Sequence, residues 1–266
     1  MTRLRAIDAA KRRDDNRGPD FSEALARGLG VVTAFNGERR QMTLSDVARA
    51  VDLPKATVRR ALHTLAALGY VESDGRLFRL TPRVLTLASA YLTSNAASAV
   101  VQPACERISA LTTEASSAAV LDDLSVVMIA HASPPRFVTV SPGIGFRIPA
   151  FASSLGRVLL AALPEPALDA FLARLAPERL TEHTLTGKRE LRQAIEKVRR
   201  QGFSLVDQEV EVGFRSLSVP LRRYDGATVA ALNIGSRIER VPLATMRTTH
   251  LPLLLRAAEE LRPQLL

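Results

Sequence analysis

The chain has 266 residues, of which 47% are hydrophobic and 24% are charged. This composition is typical of a folded protein and excludes wholesale disorder, and the length allows one to three domains. The single cysteine, Cys105, excludes an intrachain disulfide framework and a Cys-rich zinc site. The apolar runs fall far short of a membrane span of roughly 20 residues, and the charged N-terminus lacks the apolar core of a secretory signal. We therefore expect a cytoplasmic protein without a membrane partner.

The net charge of +9 is distributed unevenly. Residues 1–95 hold 16 Lys or Arg and 10 Asp or Glu, a net charge of +6, whereas residues 96–266 hold 20 and 17, a net charge of +3. A positive excess suits an acidic partner, and nucleic acid or an anionic membrane surface are the usual candidates. The asymmetry predicts a basic N-terminal module joined to a larger, nearly balanced one.

The N-terminal module is predicted to begin with an arm and a helix. Residues 1–20 are polar and charged and are predicted to be a mobile arm. Apolar residues at helical spacing predict a helix over Phe21–Phe35, with Asp20 or Ser22 as its N-cap.

A pair of helices separated by a short break follows. Thr43 and Asp46 have the spacing of a capping box at the start of the first of them. Pro54 suits the first position of the next helix, which is predicted over Lys55–Leu68 and ends at Gly69.

Two short β-prone runs come next, on either side of Asp74-Gly75. This dipeptide between Val71–Glu72 and Arg76–Leu80 predicts a hairpin. A further helix over Pro82–Ser94 is predicted to connect this module to the rest of the chain.

The order helix, helix, turn, helix, hairpin is the layout of a winged helix-turn-helix, in which the third helix enters the major groove of DNA. The residues predicted to contact DNA are Lys55, Thr57, Arg59 and Arg60 on that helix and Arg76 and Arg79 on the wing. Arginine makes bidentate bonds to guanine or phosphate, and wing cations suit the backbone or the minor groove. The alternative is a solvated basic face on an ordinary helical bundle.

The remaining sequence alternates helices with strands, many of them joined as hairpins, which predicts an α+β fold with an antiparallel sheet covered by helices. Helices are predicted over 100–113, 153–163, 165–175 and 188–201, with a last one starting near Leu243, and strands over 116–121, 125–131, 137–141, 203–212, 216–220 and 227–234. We expect an arm (1–20), a DNA-binding module (21–81), a linker helix (82–97) and a larger domain (98–266).

Two well-separated stretches resemble one known family. Met42–Arg60 (MTLSDVARAVDLPKATVRR) closely resembles the DNA-binding domain of the IclR family of bacterial transcription regulators. Arg147–Ala161 (RIPAFASSLGRVLLA) resembles the strand-to-helix segment of that family's effector domain. The resemblance covers roughly residues 21–260. It is greatest to the branch of protocatechuate and p-hydroxybenzoate regulators, through Pro149–Leu160 and Leu205–Glu209.

The resemblance implies a winged helix-turn-helix joined by a linker helix to a GAF/PAS-like effector domain with an antiparallel sheet. It implies a homodimer, or dimer of dimers, that binds double-stranded promoter DNA at a palindromic operator. A small organic acid, aromatic in this branch, would alter promoter occupancy and so control aromatic-acid catabolism. It implies no cofactor and no metal, and it leaves activation or repression open.

The resemblance also implies an effector pocket between the sheet and the segment before the short helix. The matching positions are Ala152, Ser153, Ser154, Gly156, Glu209, Ser216, Asn233 and Gly235, and Arg147 is a candidate clamp for the acid's carboxylate. Family members often have Ser or Cys in place of Asn233 and Gly235.

Some charged residues near this pocket have two interpretations. Arg147 either binds the ligand or faces solvent or a dimer partner. Glu209 either accepts a ligand hydroxyl or pairs with an arginine such as Arg215. Arg157, inside the short helix, is predicted to form a structural ion pair.

Enzyme motifs are missing from the sequence. No Gly-x-Ser-x-Gly elbow surrounds Ser153 or Ser154, and the four histidines are scattered without metal-type spacing. We therefore predict no catalytic residues. The alternative function is a small-molecule-binding or hydrolytic protein whose basic N-terminal module contacts other proteins.

Overall fold

The computed structural model describes residues 18, 20–94, 96–134 and 143–265. Nearly all of the predicted arm and the strand predicted over 137–141 lie outside the described residues. The chain divides into two compact units between Ala90 and Tyr91. Among the described residues no single helix is long and apolar enough to cross a membrane, and 82–94 and 97–112 reach that criterion only as a bent pair.

The first unit has the predicted order of elements. Its elements are α1 (Glu23–Thr33), β1 (Met42–Thr43), α2 (Leu44–Ala50), α3 (Lys55–Ala67), β2 (Val71–Ser73), β3 (Leu77–Leu80), a 3₁₀ turn (Pro82–Val84) and α4 (Leu85–Ser94), within which the boundary falls. Its core contains the fully buried side chains Val31, Val47, Val58 and Leu62.

Local sequence signals fix where these helices begin and end. Ser22 caps α1, and Thr43 and Asp46 form both bonds of a capping box, each 3.2 Å long. Gly69 ends α3 with φ +77°, a left-handed conformation that favours glycine. The prediction that Pro54 is the first helical residue was wrong, because its extended ψ of 137° makes it the N-cap and leaves Lys55 as the first.

The wing contains one strand that the sequence does not predict. Its sheet has the order β1-β3-β2, with Met42 opposite Phe78 and Val71 opposite Leu80. A two-residue strand such as β1 has too little pattern to be recognised alone, since its pairing with β3 defines it.

The second unit is built around an antiparallel sheet. Its elements are α5 (Ala96–Thr112), β4 (Ala115–Asp122), β5 (Ser125–Ala132), β6 (Arg147–Pro149), a 3₁₀ turn (Ala150–Ala152), α6 (Ser154–Ala161), α7 (Glu165–Arg174), α8 (Lys188–Gln201), β7 (Ser204–Asp207), β8 (Phe214–Arg222), β9 (Thr228–Arg237), α9 (Leu243–Thr245), a π turn (Met246–His250), α10 (Leu251–Leu261) and a 3₁₀ turn (Arg262–Gln264). The six-stranded sheet has the order β6-β5-β4-β9-β8-β7, and every pairing is antiparallel. The prediction of an α+β domain with an antiparallel sheet is confirmed.

Alternation along the strands divides the sheet into two faces with separate cores. Leu232 and Ile234 of β9 belong to a core shared with α5 and α10, whereas Ala231 belongs to one shared with α6, α7 and α8. Asn233, which stands between Leu232 and Ile234 in the sequence, points to the second face. The polar residues predicted for the effector pocket therefore point toward α6.

The strand predicted over 203–212 is shorter than expected. It ends at Asp207, because the next residue, Gln208, has φ +62° and leaves the extended conformation. The chain then turns at Gly213 into β8.

Candidate functional site

The exposed face of α3 is strongly basic. Lys55, Arg59 and Arg60 are exposed, whereas Val58 is buried in the core of the first unit and Thr57 is half-buried. These three cations form no ion pair with any residue that the structure describes. Their charge is therefore available to an anionic partner.

The two wing arginines differ, although the sequence presents them alike. Arg79 Nε donates to Glu72 Oε1 at 2.7 Å, so its charge is largely neutralised on the hairpin itself. Arg76 is exposed and has no ion pair within the described part of the chain. The Asp74 carboxylate closes the turn by accepting from the backbone N–H groups of Leu77 and Arg76, and these bonds lower its pKa.

The start of α6 is held tightly against the preceding turn. Ser153 is the N-cap, and its Oγ accepts from Gly156 N at 3.0 Å. A Cβ atom at Gly156 would lie 2.1 Å from the Ala150 carbonyl oxygen, so no other residue fits without a backbone shift. Ala152 is fully buried in the same turn. Gly156 is thus explained by packing.

Three hydroxyl groups meet between α6 and the sheet. Ser154 Oγ is 2.7 Å from both Ser216 Oγ and Ser218 Oγ, and all three residues are buried. The structure brings the predicted Ser154 and Ser216 together and adds Ser218, which the sequence analysis missed. The alternating Ser-x-Ser of β8 is the signal that identifies it.

The polar layer continues across the sheet from Ser218. Asn233 lies opposite Ser218 on one side and Ser117 on the other. Its side chain is buried and forms no hydrogen bond to a described residue. Ser117 Oγ is in turn 2.8 Å from Nδ1 of His131, and burial lowers the pKa of that imidazole. Neither Ser117 nor His131 was predicted, because only strand register places them beside Asn233.

Arg157 and Glu209 form a buried bidentate ion pair. Both guanidinium–carboxylate distances are 2.6 Å, and the side chains are 6% and 9% exposed. Arg157 Nε also donates to the Phe151 carbonyl, and Glu209 Oε2 accepts from Leu185 N. The ion pair predicted for Arg157 is confirmed.

The interpretation that Glu209 pairs with an arginine is confirmed, but the partner is Arg157 and not the suggested Arg215. Arg215 Nε bonds Asp207 at 3.1 Å, and its Nη1 bonds the Val241 carbonyl. Both buried arginines therefore have carboxylate partners, and the buried polar layer offers a ligand neutral hydroxyl and amide groups.

Of the two interpretations of Arg147, the structure agrees with the one in which it faces solvent, and at Gly235 a neighbouring side chain takes the space. Arg147 is exposed, forms an ion pair with the Asp122 carboxylate and donates to the Asp122 carbonyl, and the structure does not bring it to Ser154. At Gly235 a Cβ atom would lie 2.5 Å from Phe214 Cζ, so the Phe214 ring fills the space that a side chain would take.

A groove of about 570 Å³ lies on the opposite face of the sheet from the polar layer. It is lined by Glu106, Ser109, Ala110, Thr113, Ala132, Ser133 and Pro134. Ala132 packs against the core that contains α5, which separates the groove from Ser154. Within the described residues no cluster of three His, Cys, Asp or Glu side chains has the arrangement of a metal site.

Comparisons with known proteins match both units. Residues 24–75 match the family profile described as IclR helix-turn-helix domain, and residues 89–262 match bacterial transcriptional regulator IclR C-terminal. The chain is 41% identical over 248 residues to the Pca regulon regulatory protein of Pseudomonas putida, covering 93% of this chain and 85% of that protein.

Two further relatives carry aromatic compounds in their names. The p-hydroxybenzoate hydroxylase transcriptional activator of Acinetobacter baylyi is 34% identical, with 94% of each chain covered. An IclR homologue from Microbacterium hydrocarbonoxydans, crystallised in complex with 4-hydroxybenzoate, is 27% identical with a TM-score of 0.76, covering 91% of this chain and 99% of the other.

Proposed function

Because the chain belongs to the IclR family of bacterial transcription regulators, we propose that it controls aromatic-acid catabolism genes by binding their promoter DNA. The DNA-binding module is residues 21–81, the linker 82–97, and the effector-binding and oligomerisation domain 98–266. The protein acts as a homodimer, or dimer of dimers, on a palindromic operator.

One observation carries the DNA contact: the exposed cations of α3 have no ion-pair partner in the described chain, while the opposite side of the helix is buried. Lys55, Arg59 and Arg60 contact bases or phosphates in the major groove, and the half-buried Thr57 contacts a phosphate or a thymine methyl. Arg76 contacts the DNA backbone beside the wing. Arg79 contributes less to DNA binding because it forms an ion pair with Glu72.

The effector is a small aromatic acid. This is supported by the names of the relatives and by a buried layer of neutral donors beside an apolar core, a combination that suits an acid with an aromatic ring. Ser154, Ser216 and Asn233 bind the acid, with the start of α6 at Ala152 and Ser153. Glu209, Gly156 and Gly235 shape the site, and Arg147 lies outside it.

The DNA contact is tested by the double substitution Arg59→Ala and Arg60→Ala. A mobility-shift assay on the adjacent intergenic DNA is expected to lose the shifted band, because two phosphate or base contacts per chain disappear. The matched control is Arg189→Ala with Arg200→Ala, which removes the same charge from exposed positions of α8. Equal binding by both double variants would refute the role of α3.

The effector is tested by thermal unfolding with protocatechuate, p-hydroxybenzoate and β-ketoadipate. A ligand that binds only the folded state raises the melting temperature with its concentration. The absence of a shift with both aromatic acids would refute the aromatic-acid effector, even if the aliphatic β-ketoadipate gave a shift, and would leave the proposed DNA contact unaffected.

A further inference from the structure

The buried polar layer is wider than the hydroxyl cluster at α6. His131, Ser117, Asn233 and Ser218 are consecutive cross-strand partners on β5, β4, β9 and β8. Direct partners in antiparallel strands point to the same face of a sheet. One row of polar side chains therefore crosses four adjacent strands and reaches Ser154 through Ser218.

The far end of this row is held in place. The Gln102 side chain of α5 donates from Nε2 to the His131 carbonyl and accepts from the His131 N–H, both at 3.0 Å. The end of β5 is thus fixed to a helix on the other face. Burial lowers the pKa of His131, so the imidazole is neutral near pH 7 and one of its nitrogens is an acceptor.

Ser117 has hydrogen-bonding capacity to spare. A hydroxyl offers one donor and two acceptor positions, and the bond to His131 uses one of them. When the Ser117 O–H donates its hydrogen bond to Nδ1 of His131, the oxygen presents only lone pairs to a ligand and accepts from a ligand hydroxyl. The side chain is buried, so an unmatched group placed here loses the hydrogen bonds that water would give it.

The dimensions of the row suit a para-substituted ring. Ser218 and Ser117 are separated by two strand spacings of ~4.8 Å, or about 10 Å between their backbones. A benzene ring with polar groups at opposite ends matches that length when it lies along the row, across Asn233, which stands between the two serines.

We propose that Ser117, oriented by His131, selects effectors that carry a ring hydroxyl. The carboxylate lies at the end of the row near Ser154 and Ser218, the ring crosses Asn233, and the opposite hydroxyl donates to Ser117. This inference rests on the proposed aromatic-acid effector.

The test is isothermal titration with p-hydroxybenzoate and benzoate, which differ by the hydroxyl alone. Ser117→Ala is expected to weaken the binding of p-hydroxybenzoate by roughly 3- to 10-fold, which is the effect of one neutral hydrogen bond. The affinity for benzoate is expected to stay unchanged. His131→Asn, which keeps a polar atom near Nδ1, is expected to retain more selectivity than His131→Leu. The control is Ser116→Ala, which removes the neighbouring hydroxyl that bonds the Asn233 carbonyl on the opposite face.

The outcomes are distinguishable. If Ser117→Ala lost affinity equally for both acids, or lost none for either, the inference would be overturned while the aromatic-acid effector would stand. A wild-type protein that binds neither acid would overturn both. Thermal unfolding of each variant without ligand shows that it is folded.

Discussion

At the scale of single residues, Arg157 and Glu209 act as one group. Their pair joins α6, the turn at Phe151 and the segment at Leu185, and it is nearly excluded from water. A buried ion pair adds little net stability over apolar packing, but the loss of one partner leaves an uncompensated charge.

Glu209→Gln is therefore expected to lower the free energy of unfolding by about 3–5 kcal/mol, measured by urea denaturation. The matched control is Glu211→Gln, whose partner Arg237 is about half exposed, so the cost there is about 1 kcal/mol or less. Equal effects of the two substitutions would contradict the burial of the first pair.

Cys105 provides a pH dependence with a definite sign. Burial raises the pKa of this thiol from 9.0 to about 12. Above pH 9 the unfolded chain loses the thiol proton while the folded chain keeps it, so the stability that this residue contributes falls as the pH rises from about 9 to about 12. Urea unfolding measures the free energy of unfolding of the wild type and of Cys105→Ala. The difference between the two values is expected to be constant below pH 9 and to change as the pH rises from about 9 to about 12.

At the scale of elements, the structure of the wing indicates that its two arginines contribute unequally to DNA binding. Arg76→Ala is expected to weaken operator binding more than Arg79→Ala, because Glu72 already neutralises Arg79. Fluorescence anisotropy with labelled operator DNA measures both. A larger effect of Arg79→Ala would mean that the ion pair opens when DNA binds, and Glu72→Ala would then tighten binding.

Local signals explain which elements the sequence predicts well. The capping box of α2 and the stop at Gly69 depend on residues within one turn of each other, so their spacing is sufficient. The strand β1 and the early end of β7 depend on a partner strand and on a single backbone angle at Gln208, which spacing does not encode.

The same distinction applies to the candidate site. Ser154 and Ser216 are identified by family resemblance, and the structure places them in contact. Ser117 and His131 belong to strands more than 100 residues before Asn233 in the chain, so only the order β5-β4-β9 brings them together. The sequence leaves Glu209 either as a ligand contact or as the partner of an arginine such as Arg215. Its carboxylate is bonded by Arg157, a choice of partner that depends on three-dimensional packing.

At the scale of the whole molecule, the proposed DNA contacts come from a few cations of the first unit. Lys55, Arg59, Arg60 and Arg76 are exposed without an ion-pair partner in the described chain, and each one that neutralises a phosphate releases a counterion. The logarithm of the binding constant is therefore expected to fall with log salt at a slope of about −4 for one chain and about −7 for two.

A titration from about 50 to 200 mM salt measures this slope. Arg59→Ala is expected to reduce it by about one unit per bound chain. A slope near zero would contradict DNA recognition and favour a module that contacts other proteins.

The terminal helix contains a π turn just before Pro252. Pro252 has no N–H, and its ring would meet the carbonyl of Thr248 in an uninterrupted α-helix. The π turn at Met246–His250 takes one additional residue just before this point, with Leu251 N bonded to the Met246 carbonyl. A turn of this kind holds one residue more than an α-helical turn while the helical faces on either side can keep their packing. A homologue that is one residue shorter here should therefore be aligned with its gap inside this turn, and a one-residue deletion at Thr248 should convert it into ordinary α-helix.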